Sequence, residues 1–587
     1  MIKLLPYAKD YRKQIILGPF FKFLEAVFEL FLPLLMARLV DQGIRANDSG
    51  EVWRMMIAMV VLSVVGLVCA VICQYFSSIA SQGFGTELRN QLMKKINQLD
   101  HQALNRFGTD TLITRMTNDV NQLQLALAML IRLVVRAPFL SVGAVVMAFV
   151  IDWQAGLVFL ITLPFFCLVL FFIIRGTVPL YKQVQQKLDH LNQLVTQNLS
   201  GVRVIRAFAR REREVQHFAS STDDLARVNI RVANLSALLT PATTLIMNLG
   251  ILVLFYLGGF KVDSGHLAQG QILALVNYMN QMLLALIVVS NLVIIFTRAA
   301  ASAQRVNDVL ATTPLIRETA AGATPLAATS PGFASTTATE KAGATIAFDQ
   351  VDFRFAKDYG LVLQDLTFSV SAGSTVGIIG PTGSGKSALT QLIPRFYDVA
   401  NGAVAVDGLD VRKWSLSHLR QQIAMVPQTA VLFSGTIREN LQWGKADASD
   451  EDCWQALQLA QAADFVKALP QGLDTPIFEG GKNFSGGQKQ RLTIARAVIA
   501  EPALLILDDS LSALDYQTDL NLRRALATDM QGTVMIVSQR VRSIAEADQI
   551  LVLEEGRLVG VGTHQELVQS NAAYQAIVAS QEEGAVS

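Results

Sequence analysis

Six long apolar runs separated by charged stretches fill the first half of the chain, and short strand-like runs fill the second. A helix needs about 20 mostly apolar residues to cross a bilayer. Runs of that kind lie at about 15–40, 55–76, 128–151, 155–175, 236–260 and 271–297. Only Ile151-Asp152-Trp153-Gln154 separates the third from the fourth, which predicts a tight turn with an interfacial Trp. The gaps after the second and fourth runs span about 50 and 60 residues, yet they are helical in pattern. They predict membrane helices that continue far beyond the bilayer. Two polar breaks, Phe107-Gly108-Thr109-Asp110-Thr111 and Asn198-Leu199-Ser200-Gly201-Val202, fall near the middle of these gaps, where a chain that leaves and returns must turn. Each tip is either a plain helical hairpin or a contact with a soluble domain. The pattern divides the chain into a membrane unit over 1–310, an Ala/Thr/Pro/Gly-rich linker over 311–344 and a soluble domain over 345–587.

Charge gives this layout an orientation. Only 17% of residues are charged, against about 25% in soluble proteins. The net charge of +1 hides an asymmetry: residues 342–587 hold 19 Lys and Arg against 28 Asp and Glu, and the first 341 hold 30 against 20. A basic membrane half suits anionic lipid headgroups on one face of a bilayer and not nucleic acid. The long gaps carry Arg89, Lys94, Lys95, Arg106 and Arg115, then Lys182, Lys187, Arg203, Arg206, Arg210, Arg211 and Arg213. The short connections hold little beyond Arg45, Arg54 and Lys261. By the excess of positive charge on cytoplasmic loops, both termini and the soluble domain are expected to face the cytoplasm. Met1 to Gln14 is basic and lacks a signal-peptide core; a short amphipathic surface helix is expected there. The four cysteines make no metal-ligand spacing, and Cys69 and Cys73 read as small membrane hydrophobes on one helical face.

Ionisable and polar groups inside the apolar runs are costly in lipid. Lys22, Glu25 and Glu29 share one face of the first run. They either line a substrate path or form a mutually paired cluster beside an aqueous vestibule. Asn277, Asn280, Gln281 and Asn291 in the last run suit a pathway or interhelical hydrogen bonds equally well.

The soluble half carries phosphate chemistry. The buried-strand pattern Thr375-Val-Gly-Ile-Ile379 leads into Gly380-Pro-Thr382-Gly383-Ser384-Gly385-Lys386-Ser387, a complete P-loop between a strand and a helix. Glycines let successive backbone N–H groups turn toward phosphate oxygens, and the helix N-terminus adds partial positive charge. Lys386 is expected on the β- and γ-phosphates of ATP and Ser387 on Mg²⁺. A second apolar strand, Ala503–Leu507, ends in Asp508-Asp509 and supplies a carboxylate, Asp508, for the metal.

Between these elements, Phe484-Ser485-Gly486-Gly487-Gln488 resembles the signature motif of ABC transporters. Further matches follow in that family's order. Gln428 resembles the Q-loop glutamine, a Mg²⁺ ligand; Phe478-Glu479-Gly480 resembles the exporter-specific loop; Ser512-Ala-Leu-Asp515 resembles the D-loop. Phe355, 25 residues before Gly380, occupies the position of the aromatic that stacks on adenine, either in that role or as a core strand residue. The resemblance implies a six-span α-helical membrane bundle of ABC exporter type joined to an α/β P-loop ABC ATPase domain, with the two polar tips as coupling helices.

Two positions depart from the family pattern. Asp509 stands where the general base is normally Glu, one methylene longer, and Gln539, in Val537-Ser538-Gln539-Arg540, stands where a switch histidine is normal. A base must sit within about 3 Å of its proton, and Gln neither carries charge nor exchanges a proton at neutral pH. With Ser485–Gln488 intact, the combination resembles the degenerate-site subunit of bacterial heterodimeric multidrug exporters. It implies a non-identical second half-transporter that supplies the consensus Glu and His, with a small amphipathic compound as cargo. A homodimeric lipid or peptide exporter and an ATP-gated regulatory membrane protein are the alternatives.

Overall fold

The computed structural model describes residues 2–316, 343–356 and 358–586, so most of the expected linker lies outside the described residues, as does the side chain of Asn291. The chain divides into two compact units, Met1–Gln98 with Gly108–Thr312, and Leu99–Phe107 with Thr313–Ser587.

The first unit is helical. Five helices among the described residues are long and apolar enough to cross a membrane: Ser49–Gln98, Thr109–Ile151, Trp153–Ser200, Arg211–Asp263 and Gln269–Val289. The expected first span is a continuous 27-residue helix, Arg12–Arg38, but Lys22, Glu25 and Glu29 in its middle keep it outside those five. At 1.5 Å per residue, the 50 residues of Ser49–Gln98 reach about 75 Å, more than twice a bilayer's apolar thickness. That length is what the long helical gaps required. The tight turn between the third and fourth runs is made by Asp152, whose carboxylate accepts from the Ala155 amide at 2.9 Å and so caps the next helix. The N-terminal segment Ile2–Tyr11 is a 3₁₀ helix that buries Leu4 and Ala8 and packs on Ser49–Gln98.

The core of this unit is built from small residues that let helices approach closely. Ala26 and Ala37 of the first helix, Ala137, Ala144 and Ala148 of the third, and Ala274 of the last are all buried beside Phe159, Phe166 and Tyr278. The Tyr278 hydroxyl donates to the Leu30 carbonyl. Lys22 pairs with Glu25 within one helix at 2.6 Å. Glu29 instead pairs across helices with Arg136 at 2.8 Å.

The tips differ from the expected breaks in detail. After Gln98 the chain turns at Leu99-Asp100, forms a short helix His101–Phe107, and turns again at Gly108, whose φ of +74° favours glycine. Asp100 starts the short helix by accepting from the Ala103 amide at 2.7 Å, a cap whose effect is easy to miss inside a helical pattern. The second tip breaks at Gly201 and continues as the helix Val202–Ala207, with Leu199, Val204 and Phe208 exposed.

The second unit contains a six-stranded sheet in the order Arg557–Gly562, Gln549–Glu554, Thr375–Ile379, Thr533–Val537, Leu504–Asp508 and Ile423–Val426. All neighbours are parallel except the Arg557–Gly562 edge. The near-continuous apolar character of these strands follows from burial on both faces: Leu504 to Asp508 and Thr533 to Val537 are buried throughout. A four-stranded antiparallel sheet that includes Ile346–Phe353 shares a core with one face of it, where Phe348, Phe353 and Trp414 are buried with Ile378, Leu504, Met535 and Leu551. His101–Phe107 packs on this unit. The His101 ring lies 4.4 Å from that of Phe396, and the Asn105 amide donates to the Tyr397 hydroxyl at 3.2 Å.

Candidate nucleotide site

Parallel register decides where the chemistry collects. Val537 is paired with both Ile378 and Asp508, and Val426 with Leu507. Four strands therefore end together. Their carboxyl ends deliver the Gly380 loop, Asp508-Asp509, Ser538-Gln539 and Gln428 to one edge, where open α/β sheets bind ligands.

The loop itself is shaped by glycine. Gly383 and Gly385 have φ of +87° and +97°, and a Cβ on Gly380 would lie 2.0 Å from the Leu553 carbonyl oxygen. Gly385 then precedes the helix Lys386–Leu392. Lys386 is buried, and its Nζ donates to the carbonyls of Gly380 and Pro381, both at 2.8 Å. Burial pulls its amine below the ordinary lysine range. The ammonium is held by neutral carbonyls, a position from which an incoming phosphate offers better compensation. Ser384 and Thr382 complete the loop, with Ser384 buried.

Ser387 Oγ donates to Asp508 Oδ1 at 3.1 Å. Asp508 is only 4% exposed, and its carboxyl is raised from the usual range first by burial, with the neighbouring Asp509 adding to it. A hydroxyl hydrogen-bonded to a buried, reluctantly ionised carboxylate is a donor set that fits Mg²⁺, a hard cation that takes oxygen ligands. Among the described residues no group of three His, Cys, Asp or Glu forms a self-sufficient metal cage.

The two departures noted in the sequence meet in space. Asp509 Oδ2 accepts from Gln428 Nε2 at 3.1 Å and from Gln539 Nε2 at 3.4 Å. Asp509 itself sits at φ +49°, a left-handed conformation that Asp tolerates better than most residues, while its amide donates to the Val537 carbonyl at 3.0 Å. The shorter carboxylate is thus anchored by its own backbone and shared between two amides. Ser512 Oγ donates to the Asp509 carbonyl at 2.7 Å, which ties the D-loop segment to the same residue. Asp515 caps the following helix through the Thr518 amide and hydroxyl, at 3.0 and 2.8 Å.

The remaining expected residues have other partners. Phe355 is 40% exposed and meets Phe353 and Tyr397 edge-on, at 4.9 and 5.3 Å between centroids. Ser485 begins the helix Gly486–Val498 in a capping box: its amide donates to Gln488 Oε1 at 2.9 Å, and its hydroxyl accepts from the Gln488 amide at 3.3 Å. Ser485 and Gly486 are exposed, and a Cβ on Gly486 would have nothing within 4 Å. Gly487 is half-buried near the Ala513 carbonyl. Glu479 is exposed and paired with Lys482 at 3.2 Å.

Sequence reasoning missed Gln581, in the C-terminal helix. Its amide donates to the Gln539 carbonyl at 2.7 Å and accepts from the Val541 amide at 2.9 Å, clamping the switch segment from both sides. No spacing marks a lone Gln over 40 residues from its partner; only the fold reveals it.

With this geometry in hand, comparisons with known proteins are informative. Residues 15–286 match the ABC transporter transmembrane region, starting within the charged first helix, and residues 363–512 match the ABC transporter family. The chain is 36% identical over 581 residues to the uncharacterized ABC transporter ATP-binding protein YfiB of Bacillus subtilis, covering 99% of this chain and 98% of that protein. It is 29% identical to an ATP-dependent lipid A-core flippase of Albidiferax ferrireducens, covering 97% and 96%. Its fold matches a bacterial Atm1-family ABC exporter solved with ATP bound, with a TM-score of 0.79, 23% identity and coverage of 97% and 99%. The chain belongs to the ABC transporter family, as a membrane transport ATPase that joins a transmembrane region and a nucleotide-binding domain in one polypeptide.

Proposed function

We propose that this chain is the slow half of a heterodimeric exporter, holding ATP in its own site while its signature completes a faster site on a different subunit. The observation that carries this reading is Asp509. Its carboxylate is one methylene short of the usual base, and it accepts from Gln428 and Gln539 instead of standing free for a water. A positioned general base contributes about 10²–10⁴ in rate. Gln539, which donates a hydrogen bond but carries no charge, does not replace a switch histidine.

Binding needs none of these groups. Lys386, with the backbone of Gly380, Thr382, Gly383, Ser384 and Gly385, is suited to the phosphates, and Phe355 offers a ring to adenine. Ser387, Asp508 and Gln428 are the residues that would hold Mg²⁺, which neutralises charge on the β- and γ-phosphates when bound. Ser485, Gly486, Gly487 and Gln488 are capped, ordered and partly uncovered, which supports a role toward another chain's nucleotide. Asp515 sits at the base of the neighbouring helix. The basic long gaps support an ATPase domain in the cytoplasm, and the similarity to bacterial relatives supports a bacterial plasma membrane.

The cargo we propose is a small amphipathic or hydrophobic compound. A relative named as a lipid A-core flippase also supports a second reading, a homodimeric lipid exporter. ATPase measurements on the full chain in vesicles, alone and with its partner, separate the two. The heterodimer reading expects slow turnover alone and substrate-stimulated turnover only with a chain that has Glu and His at these positions. Brisk hydrolysis by this chain alone overturns it.

A further inference from the structure

We infer that the cavity beside the Glu29–Arg136 pair binds an uncharged hydrogen-bonding group, an amide or a hydroxyl, carried on an apolar compound. This rests on the exporter reading above and names the chemistry of its cargo site. The cavity has a volume of about 130 Å³ and is lined by Glu29 of the first helix, Arg136 and Leu140 of the third, and Gln281, Ala285 and Val288 of the last. Arg136 Nη2 donates to both oxygens of Glu29, at 3.0 and 2.8 Å. Its Nε is buried without an acceptor, and the buried Oε1 of Gln281 lacks a donor. One unsatisfied donor and one unsatisfied acceptor therefore belong to residues that line the same apolar-walled space.

In a membrane interior such atoms are expensive to leave unpaired. The other charges of this region are provided for: Lys22 holds Glu25, and Arg132 donates to the hydroxyls of Ser77 and Ser78 at 2.9 and 3.2 Å. The ion pair decides the ligand's charge. Glu29 and Arg136 already neutralise one another, so a cation or an anion enters only by splitting the pair and leaving one half-buried charge uncompensated. A neutral amide or hydroxyl offers an acceptor to Arg136 and a donor to Gln281 and leaves the pair intact. Size sets the rest. Complete ligand pockets occupy about 300–1,000 Å³, so this cavity takes a polar group and a few carbons while the remaining apolar body lies outside it.

The test uses the full chain in the dimer it forms, in lipid nanodiscs, with a matched octyl series: N-octylacetamide, octan-1-ol, octylammonium and octanoate. Saturable binding above the empty-disc background is the readout. N-octylacetamide and octan-1-ol are expected to bind at least about tenfold tighter than either ion. Gln281→Leu should weaken N-octylacetamide about tenfold, the scale of one buried hydrogen bond. Ala285→Leu, which fills the cavity and leaves every polar group in place, should abolish saturable binding. Equal or tighter binding of either ion overturns the inference, as does unchanged affinity in both variants. Brisk ATPase activity of the chain alone would sink the heterodimer reading without moving these affinities, so the two failures are distinguishable.

Discussion

The P-loop and the signature are both loops that run into helices in the same domain, and they finish in opposite conditions. At the P-loop the side chains are folded inward: Lys386 is bound by its own loop, Ser387 by Asp508, and Asp509 by two glutamines. At the signature Ser485 and Gln488 cap one another, and Gly486 looks onto open space. One surface is nearly complete within the chain and the other is ordered without being covered. That contrast underlies the proposed division between holding a nucleotide and acting on one.

The sharpest way to break the comparison is to spoil the exposed surface. Gly486→Asp has room for its side chain and should leave ATP binding by this chain unchanged, while ATPase activity of the assembled transporter falls by about 10²–10³, the scale for losing an aligned donor set. Unchanged turnover of the assembled pair would mean that the signature is not used. The converse substitution, Lys386→Met, should lower ATP affinity of this chain's own site by about 10²-fold through loss of a charge-assisted contact, read by nucleotide titration. It should cost no thermal stability, since burial disfavours the charged lysine in the folded domain.

A smaller effect is expected from repairing the knot. Asp509→Glu combined with Gln539→His should raise hydrolysis at this site about 10- to 100-fold, part of the range for a restored base. Single-turnover hydrolysis with the partner's site blocked is the measurement. A double variant as slow as the parent would move the defect elsewhere, for example to the clamp that Gln581 places on the switch segment.

The smallest effect concerns stability. The carboxyl of Asp508 is raised in the folded state, so its contribution is fully present below the unfolded value and is lost as pH rises through the folded one. At neutral pH the ionised group destabilises the nucleotide-free domain. Asp508→Asn should therefore raise the nucleotide-free melting temperature by about 2–4 °C, equivalent to ~1 kcal/mol in a domain of this size, and abolish the Mg²⁺-dependent increment on adding ATP. The gain should shrink as pH falls toward the ordinary carboxylate value of 3.8. A constant gain at every pH would place its origin outside ionisation.

The sequence alone determined the elements whose signals are local. Apolar runs marked the membrane helices because bilayer thickness imposes length, and Gly380 to Ser387 marked the phosphate loop because glycine and lysine at that spacing follow from backbone geometry and charge. It also exposed Asp509 and Gln539 as two departures expected in one site. Only the tertiary structure decided that Gln539 and Gln428 share one carboxylate oxygen of Asp509, because parallel register aligns strand ends whose residues lie 30 and 81 positions from it in sequence. The same holds in the membrane unit. Lys22, Glu25 and Glu29 read as one charged face, yet helix packing split them into a local pair and a cross-helix pair at a cavity. Partners brought together by packing leave no periodicity in the chain, and for that reason they had to be seen in the fold.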